Sequence, residues 1–318
     1  MNNPPHTFQK HMYAYKVLDA IAIGVSGGAD SMALLHMLKS WADTHKITLT
    51  ALTVDHGLRP EAADEAAYVA RICRDWGIAH HTLKPDTPLD NTRLQENARN
   101  MRYDLMTDFC KKHNISCIAL AHHLDDQYET FLMRLARGSG LKGLNGMRTA
   151  YDKNGITLVR PLLNIPKAGL IAYCINHQIE WCEDPSNDNT QYDRVRVRDQ
   201  TPVLYDLGLT PDMIEKTRAK LAAAQGFIDD MLAPLFDRAM GISHFEMDMD
   251  EFNALHPYLC EKLVEQALMT VSENIYPPRH NALQRLIEDM RGKKFKGATL
   301  HNCLISQKRG HIIIEPEL

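Results

Sequence analysis

Short apolar runs alternate with stretches of helical periodicity along the first 120 residues, and this alternation limits the folds open to the chain. The runs lie at 20–24, 47–54, 78–83 and 115–120. Between them, apolar residues recur at helical spacing, as in the stretch from Glu61 to Trp76. Strands that alternate with helices imply right-handed crossovers and a mostly parallel sheet. The sequence therefore predicts an α/β fold with a doubly wound, mostly parallel sheet.

The last hundred or so residues follow a different pattern. From Pro211 onward helical periodicity dominates, and the chain closes on the strand-like run HIIIEPEL at 311–318. We place a boundary between Tyr205 and Pro211. The expected organisation is an α/β domain at 1–208, followed by a smaller, mainly helical domain at 209–318.

Composition excludes several classes of protein. With 44% hydrophobic and 24% charged residues, the chain has the balance of a globular protein rather than of a disordered one. Its seven cysteines form no Cys-x-x-Cys pair, which argues against a disulfide frame, a zinc ribbon or an iron–sulfur site. No apolar run approaches the roughly 20 residues of a membrane helix, and the N-terminus lacks the apolar core of a signal peptide. We therefore expect a cytoplasmic protein.

The loop SGGADS at 26–31 lies between the first predicted strand and its helix. Backbone N–H groups and the helix dipole make such a loop an anion site, and glycines let phosphate approach the backbone. The spacing is not that of a Walker loop, and no lysine follows. Asp30 would repel phosphate unless it holds a cation such as Mg²⁺. A simple glycine turn with a capping side chain is the alternative.

The segment HHLDDQYET at 122–130 follows another predicted strand and begins a helix. Asp125 and Asp126 stand where carboxylates cap a helix, and Glu129 lies one turn on along the same face. An acidic first turn complements the helix dipole and explains the three acids without a function. It does not explain the adjacent His122 and His123. Metal binding is open for this set, although the spacing does not match a zinc site.

Basic residues are concentrated in one part of a chain whose net charge is −4. Between 134 and 167 there are seven lysines and arginines against one acid, and three further arginines stand at 194, 196 and 198. Such a stretch is typical of a surface that follows a nucleic-acid backbone. A solvated basic face is the alternative. If 194–198 is extended, all three arginines share a face, whereas in a helix only Arg194 and Arg198 do.

Together these segments resemble the PP-loop ATP pyrophosphatase superfamily and, within it, the tRNA(Ile)-lysidine synthetase family. The resemblance covers about the first 200 residues. It rests on VSGGADSMALLH at 25–36, VDHGLRPEAADEA at 54–66, ENARNMRYDLM at 96–106, AHHLDDQYETFLMRLARGSGLKGLNGM at 121–147, RPLL at 160–163 and EDPSNDN at 183–189. The first of these marks only the superfamily, whereas the combination is specific to the family.

The resemblance implies a two-step reaction. ATP, with Mg²⁺, adenylates the C2 carbonyl oxygen of the wobble cytidine in the CAU anticodon of tRNA(Ile), and the ε-amine of free lysine then displaces AMP to form lysidine. A loop that holds pyrophosphate leaves the α-phosphorus open to attack, so the residues fit this chemistry. The amine must lose a proton, because at neutral pH it is almost entirely charged.

The resemblance also assigns roles to residues of this sequence. The candidate catalytic residues are Asp30, His122, His123, Asp125, Asp126 and Glu129. The candidate nucleotide-binding residues are Ser26, Gly27, Gly28, Ala29, Asp30, Ser31, Asp55 and His56, with Asp30 as the candidate magnesium ligand. The candidate tRNA contacts are Arg99, Arg102, Arg134, Arg137, Lys142, Arg148, Arg194, Arg196 and Arg198, with the 209–318 domain as a further contact. Should that path fail, Arg291, Lys293, Lys294 and Lys296 are the next candidates.

Two other functions stay open at this point. A tRNA thiolation enzyme of the same superfamily would adenylate a base and deliver sulfur, but such enzymes generally need paired or clustered cysteines. A nucleotide-binding or RNA-binding module without turnover would leave the acidic, histidine-containing segment unexplained.

Overall fold

A computed structural model describes residues 4–55, 57, 61–85, 94–183, 193–274, 276–292 and 295–317. The chain divides into two compact units, Met1–Ala219 and Lys220–Leu318, called unit 1 and unit 2 below. The division falls inside one helix, Pro211–Ala239. The domain boundary expected at 208/209 lies just before this helix and stays a prediction. No helix in the described part of the chain is long and apolar enough to cross a membrane.

Unit 1 is built on a six-stranded sheet with the order β3-β2-β1-β4-β6-β5. Its strands are β1 (Ala20–Gly24), β2 (Thr48–Val54), β3 (Ala79–Leu83), β4 (Cys117–Ala119), β5 (Ala150–Lys153) and β6 (Ile156–Val159). All neighbouring pairs are parallel except β5 with β6. The predicted doubly wound, mostly parallel sheet is therefore confirmed.

Helices connect these strands and cover both faces of the sheet. They are α1 (Pro4–Met12), α2 (Ala29–His45), α3 (Glu61–Asp75), α4 (Leu94–Lys112), α5 (Leu124–Ala136), α6 (Leu141–Leu144), α7 (Lys167–Asn176), α8 (Asp193–Asp199), α9 (Thr201–Asp206) and the first part of α10 (Pro211–Ala239). One apolar core joins α1, α2, α3 and α7 to the sheet, through side chains such as Leu38 and Leu170. A second core, with Met106 of α4, lies on the opposite face.

Unit 2 combines helices with an antiparallel sheet. After α10 the elements are β7 (Phe245–Asp248), α11 (Met249–Ala254), α12 (Pro257–Val271), α13 (His280–Arg291), β8 (Ala298–Leu300), β9 (Cys303–Lys308) and β10 (His311–Pro316). The strands have the order β7-β10-β9-β8 and are antiparallel throughout. The helical character expected for this region is confirmed, and the strand-like close of the chain is β10.

Candidate active site

The sheet brings the loops after β1 and β4 together, because these strands are parallel neighbours and their carboxyl ends lie at the same edge. The loop after β1 turns at Gly27, whose φ of +89° is a conformation that favours glycine. Ser31 closes the turn, since its hydroxyl donates to the Gly28 carbonyl at 2.9 Å and accepts from Ser26 N at 3.2 Å. Ala29 begins α2. The SGGADS segment thus forms a compact loop at a helix N-terminus, the geometry that suits phosphate.

A segment far along the chain supports this loop. Cys182 N donates to the Gly27 carbonyl at 2.9 Å. A Cβ on Gly27 would lie 3.5 Å from the Val69 side chain and 3.6 Å from Cys182 Sγ. Sequence reasoning assigned no role to Cys182 or Val69, because a backbone contact between residues so far apart leaves no local signal.

His123 lies among three carboxylates. Its Nε2 is 3.3 Å from Asp30 Oδ2 and 3.5 Å from Asp126 Oδ2, and its Nδ1 is 3.6 Å from Asp125 Oδ2. Burial opposes a charge on the ring, but the contacts with Asp125 and Asp30 and the charge of Asp126 outweigh it and raise the pKa of His123 to about 10. These contacts favour the charged form of a ring that joins the SGGADS loop to the HHLDDQYET segment.

Metal binding by His123 and the acids around it, which the sequence left open, stays a prediction. Asp30 fits a cation better, since its Oδ1 is buried and has no hydrogen-bond partner among the described residues. No group of three or more potential metal-binding side chains occurs in the described parts of the chain. Mg²⁺ keeps several waters and needs only one or two protein carboxylates, so Asp30 is compatible with it.

Asp125 and Asp126, in the first turn of α5, each accept a hydrogen bond from a backbone N–H. Asp125 Oδ2 accepts a hydrogen bond from Lys167 N at 2.8 Å, and Asp126 Oδ2 accepts one from His123 N at 3.1 Å. Burial raises the pKa of Asp125, but His123 and the Lys167 N–H outweigh it, so the pKa is lowered overall. The structure therefore shows the capping role of Asp126, and a site role for both acids stays a prediction.

The basic segment 193–199 is helical, and it packs on α5. As expected for a helix, Arg194 and Arg198 lie on one face. Arg198 donates to both carboxylate oxygens of the buried Glu129 through Nε and Nη2. Arg194 Nη1 lies 4.0 Å from Asp126 Oδ1. Burial raises the pKa of Glu129, and the Arg198 guanidinium offsets part of this rise. These two candidate tRNA contacts therefore face the acids of the site, whereas Arg196 is exposed.

The GSGLKGLNGM segment at 138–147 is held by α5. Arg134 Nη1 donates to the carbonyls of Gly143 at 2.7 Å and Gly146 at 3.0 Å. Gln127 pairs with the Met147 backbone in both directions, with Nε2 donating at 2.8 Å and Oε1 accepting at 2.7 Å. Gln127 was missed by sequence reasoning, and Arg134 supports the segment from inside. The other candidate tRNA contacts on this segment and its flanks are exposed, namely Arg137, Lys142 and Arg148.

His122 has surroundings different from those of His123. Its Nδ1 is buried without a hydrogen-bond partner among the described residues. Burial, together with the charges of Arg160, Arg99 and Arg102, lowers the pKa of His122 to about 3, against an opposing effect of Asp126. Arg99 and Arg102 also lie over the Tyr103 ring, 5.3 Å and 5.7 Å from its centroid. The His122 imidazole is thus neutral at pH 7, and the arginines and Asp126 shift its pKa in opposite directions.

Asp55 follows β2 at the same edge of the sheet. Its Oδ1 accepts from Gly57 N at 2.9 Å, and its Oδ2 lies 3.0 Å from Lys84 Nζ. His56, Lys293, Lys294 and most of the EDPSNDN segment lie outside the described residues. Arg291, an alternative RNA contact, donates instead to the Leu255 carbonyl at 3.2 Å and to Cys260 Sγ at 3.1 Å.

Two cysteines lie beside the SGGADS loop, namely Cys182, described above, and Cys174, whose Sγ donates to the Ala29 carbonyl at 3.5 Å. All seven are free, and six are buried. Burial raises the pKa of Cys73, Cys110 and Cys117 to about 12, so these thiols are inert at neutral pH. The arrangement does not favour the thiolation alternative, which calls for paired or clustered cysteines.

Comparison with known proteins identifies the family. The PP-loop domain family matches residues 4–204. A tRNA(Ile)-lysidine synthase from Ruegeria pomeroyi is 34% identical over 90% of this chain and 68% of its own length. Another, from Orientia tsutsugamushi, is 32% identical over 97% of this chain and 72% of its own. The chain belongs to the tRNA(Ile)-lysidine synthase family.

The resemblance expected from the sequence is therefore confirmed, and so is an enzyme that uses ATP through a PP-loop. Among solved structures, the U34-tRNA thiolase NcsA from Methanococcus maripaludis, described with its 4Fe-4S cluster, aligns with a TM-score of 0.59 at 19% identity. The alignment covers 69% of this chain and 77% of that one. At this identity the likeness shows a shared fold, whereas the sequence relatives carry the family assignment.

Proposed function

We propose that the chain joins free L-lysine to the wobble cytidine of a tRNA(Ile) with a CAU anticodon, at the expense of ATP. The product is lysidine, which changes decoding from AUG to AUA. The observation that carries the proposal is the contact of Asp30, in the phosphate-binding loop, with His123, which lies 3.3 Å away in the acidic segment. One edge of the sheet thus joins a loop for pyrophosphate to acids for an amine, in a tRNA-modifying family.

In the first step, the cytidine O2 attacks the α-phosphorus of ATP, the bond to the β-phosphate oxygen breaks, and pyrophosphate leaves. The loop at 26–31 would hold the departing pyrophosphate through backbone N–H groups and the α2 N-terminus. Asp30 would hold Mg²⁺, which neutralises charge on the phosphate oxygens. His123 fixes the Asp30 carboxylate in position.

In the second step, the lysine ε-amine attacks C2 and AMP leaves with the former O2. At pH 7 only about one lysine in a few thousand has a neutral ε-amine, so the site must bind the ammonium and take its proton. The cationic His123 is not suited to accept it. Asp126 and Glu129 are the candidate acids, and the buried Glu129, with its raised pKa, is suited to take a proton.

The tRNA would lie along the exposed cations near this edge, with unit 2 as a second contact. Arg137, Lys142, Arg148 and Arg196 are exposed, as a phosphate-binding surface requires. With tRNA as the substrate, we place the reaction in the cytoplasm.

The test combines the protein, ATP with Mg²⁺, the isoleucine tRNA transcript and labelled lysine, and follows AMP and the label in RNA. Label should enter RNA together with AMP, without a sulfur donor. Asp30→Asn should reduce both by at least about 100-fold. Asp43→Asn is the matched control on the same helix, since Asp43 is exposed and pairs with Lys39. No label in RNA with the wild-type protein would refute the proposed function, and normal AMP formation by Asp30→Asn would refute the role of Asp30.

A further inference from the structure

The segment that carries α8 and α9 runs along α5. Arg198 of α8 meets Glu129 of α5, and Tyr205 of α9 meets Tyr128 of α5. Tyr128 is three residues after Asp125 on the same helix, so the ring of Tyr205 packs on α5 about one turn beyond Asp125. An aromatic residue that the proposed chemistry does not use therefore packs on the helix that carries the acids of the candidate site.

Tyr205 is fixed on one side and open on another. Its ring centroid is 5.8 Å from that of Tyr128, with the two planes at 73°. Tyr128 is buried, and its hydroxyl donates to the Leu209 carbonyl at 2.8 Å. Tyr205 itself is 39% exposed. A rigid support behind a partly exposed ring gives a flat surface that loses little conformational entropy when a ligand stacks on it.

The surroundings of the ring link it to the site. Burial raises the pKa of Tyr205, and the charge of Asp125 raises it further. Asp125 in turn contacts His123, which contacts Asp30. The ring of Tyr205 thus lies within range of the charge of the acidic segment.

An enzyme that modifies a base must separate it from its stacked neighbours, and a protein aromatic ring commonly replaces that stacking. We propose that Tyr205 is a binding residue whose ring stacks on a pyrimidine base of the substrate tRNA, the cytosine that reacts. This inference rests on the proposed function, because it assumes a base at this site. The adenine of ATP is the less suitable occupant, since Asp55, the candidate nucleotide contact described above, follows β2 rather than α9.

Two substitutions of Tyr205 distinguish stacking on its aromatic ring from simple apolar contact. Tyr205→Phe keeps the ring and should leave the KM for tRNA within about twofold. Tyr205→Leu keeps an apolar side chain without an aromatic face, and should raise the KM for tRNA by about 10- to 100-fold, as expected for one lost base–aromatic stack. The KM values for ATP and lysine should not change. Tyr13→Leu is the control, because Tyr13 is an exposed tyrosine of the same unit.

A binding measurement provides a readout independent of turnover. A fluorescent cytosine analogue at the wobble position should be quenched on binding to the wild-type protein and to Tyr205→Phe, and should stay bright with Tyr205→Leu. Thermal melting confirms that each variant is folded. A rise in the KM for lysine or ATP alone, or unchanged tRNA KM and quenching in a folded Tyr205→Leu, would overturn the inference. Wild-type protein that forms no lysidine would instead overturn the proposed function.

Discussion

The two units bury different kinds of side chain. Within the described parts of the chain, every polar or charged residue that is buried as a whole lies in unit 1, including Asp55, His123, Asp126, Glu129 and Arg160. The buried residues of unit 2 are apolar or cysteine. Burying a charge is costly unless it is paired and hydrogen-bonded. Unit 1 therefore carries the cost of burying whole charged side chains, and this cost is concentrated where the chemistry is expected.

Topology explains the difference. Parallel strands place their carboxyl ends at one edge, so that residues from separate loops, such as Asp30 and His123, converge there. The antiparallel strands of unit 2 run in alternating directions, and their inner faces fill one apolar core. The same contrast suggests where substitutions act on stability and where they act on catalysis.

The largest expected effect on stability is in the core of unit 2. Phe245→Ala removes a fully buried ring of β7 and should lower the free energy of unfolding by about 3–5 kcal/mol. Phe227→Ala, on the 67% exposed Phe227 of the same unit, should cost little. Urea unfolding followed by circular dichroism measures both. A cost below about 1 kcal/mol for Phe245→Ala would contradict the apolar core assigned to unit 2.

The next prediction compares lysine transfer after changes to two carboxylates that cap helices. Asp126 accepts from His123 N at the start of α5, and Asp248 accepts from Asp250 N and Glu251 N at the start of α11. Asparagine keeps an acceptor and removes the charge. Asp126→Asn should slow lysine transfer by about 100-fold, or raise the apparent KM for lysine, because it removes a charge from the site.

Asp248→Asn is the matched change in unit 2 and should leave lysine transfer at the wild-type rate. Quantifying labelled lysine in tRNA at several lysine concentrations separates KM from kcat. If both variants transfer lysine normally, Asp126 serves only as a cap.

The sequence predicts some features of the fold and of the candidate site, but not others. AIAIG predicted β1 residue for residue, because a short apolar run ending in glycine has few other solutions. The segments SGGADS and HHLDDQYET were identified as site residues because parallel strands bring their loops together. The position of His123 between Asp30 and Asp125 was not foreseeable, since it depends on side-chain directions across two strands.

The basic residues show that composition does not predict which groups a charged side chain contacts. Arg134 and Arg198 look like phosphate contacts in composition, but one binds carbonyls and the other binds Glu129. Composition records charge and not the direction in which a side chain points. The contacts of Cys182 and Gln127 were not predicted for a related reason, because their partners are backbone groups far away in the sequence.

A smaller effect is expected on the salt dependence of tRNA affinity, which shows whether exposed cations of unit 1 or of unit 2 contact the RNA. Lys142→Gln combined with Arg148→Gln removes two exposed cations of unit 1. If both contact phosphates, the log–log dependence of tRNA affinity on salt should become shallower by about 1.5. Arg285→Gln with Lys296→Gln is the corresponding double change in unit 2. Titrations at four salt concentrations give both slopes, and an unchanged slope for the unit 1 variant would place the RNA path elsewhere.

The smallest expected effect is a pH dependence of stability in unit 1. His36 Nδ1 lies 2.8 Å from the Tyr173 hydroxyl, and the His36 ring lies 5.0 Å from that of His177. Burial lowers the pKa of His36, and the charges of His177 and Lys39 lower it further. Between the folded pKa and the unfolded value of about 6.5, the unfolded chain binds more protons. The free energy of unfolding should therefore fall as the pH drops from 7 through this window.

His36→Asn removes this titration. Relative to the wild-type protein, the variant should lose less stability between pH 7 and pH 5.5, and the slopes should differ by less than one proton, which is below about 1.4 kcal/mol per pH unit. His6→Asn, on an exposed histidine of α1, should keep the wild-type slope. Urea unfolding at half-unit pH steps measures the three slopes. If His36→Asn keeps the full slope, the acid sensitivity of unit 1 arises from its other buried groups, and His122 is the first candidate, because burial lowers its pKa to about 3 and its titration has the same sign.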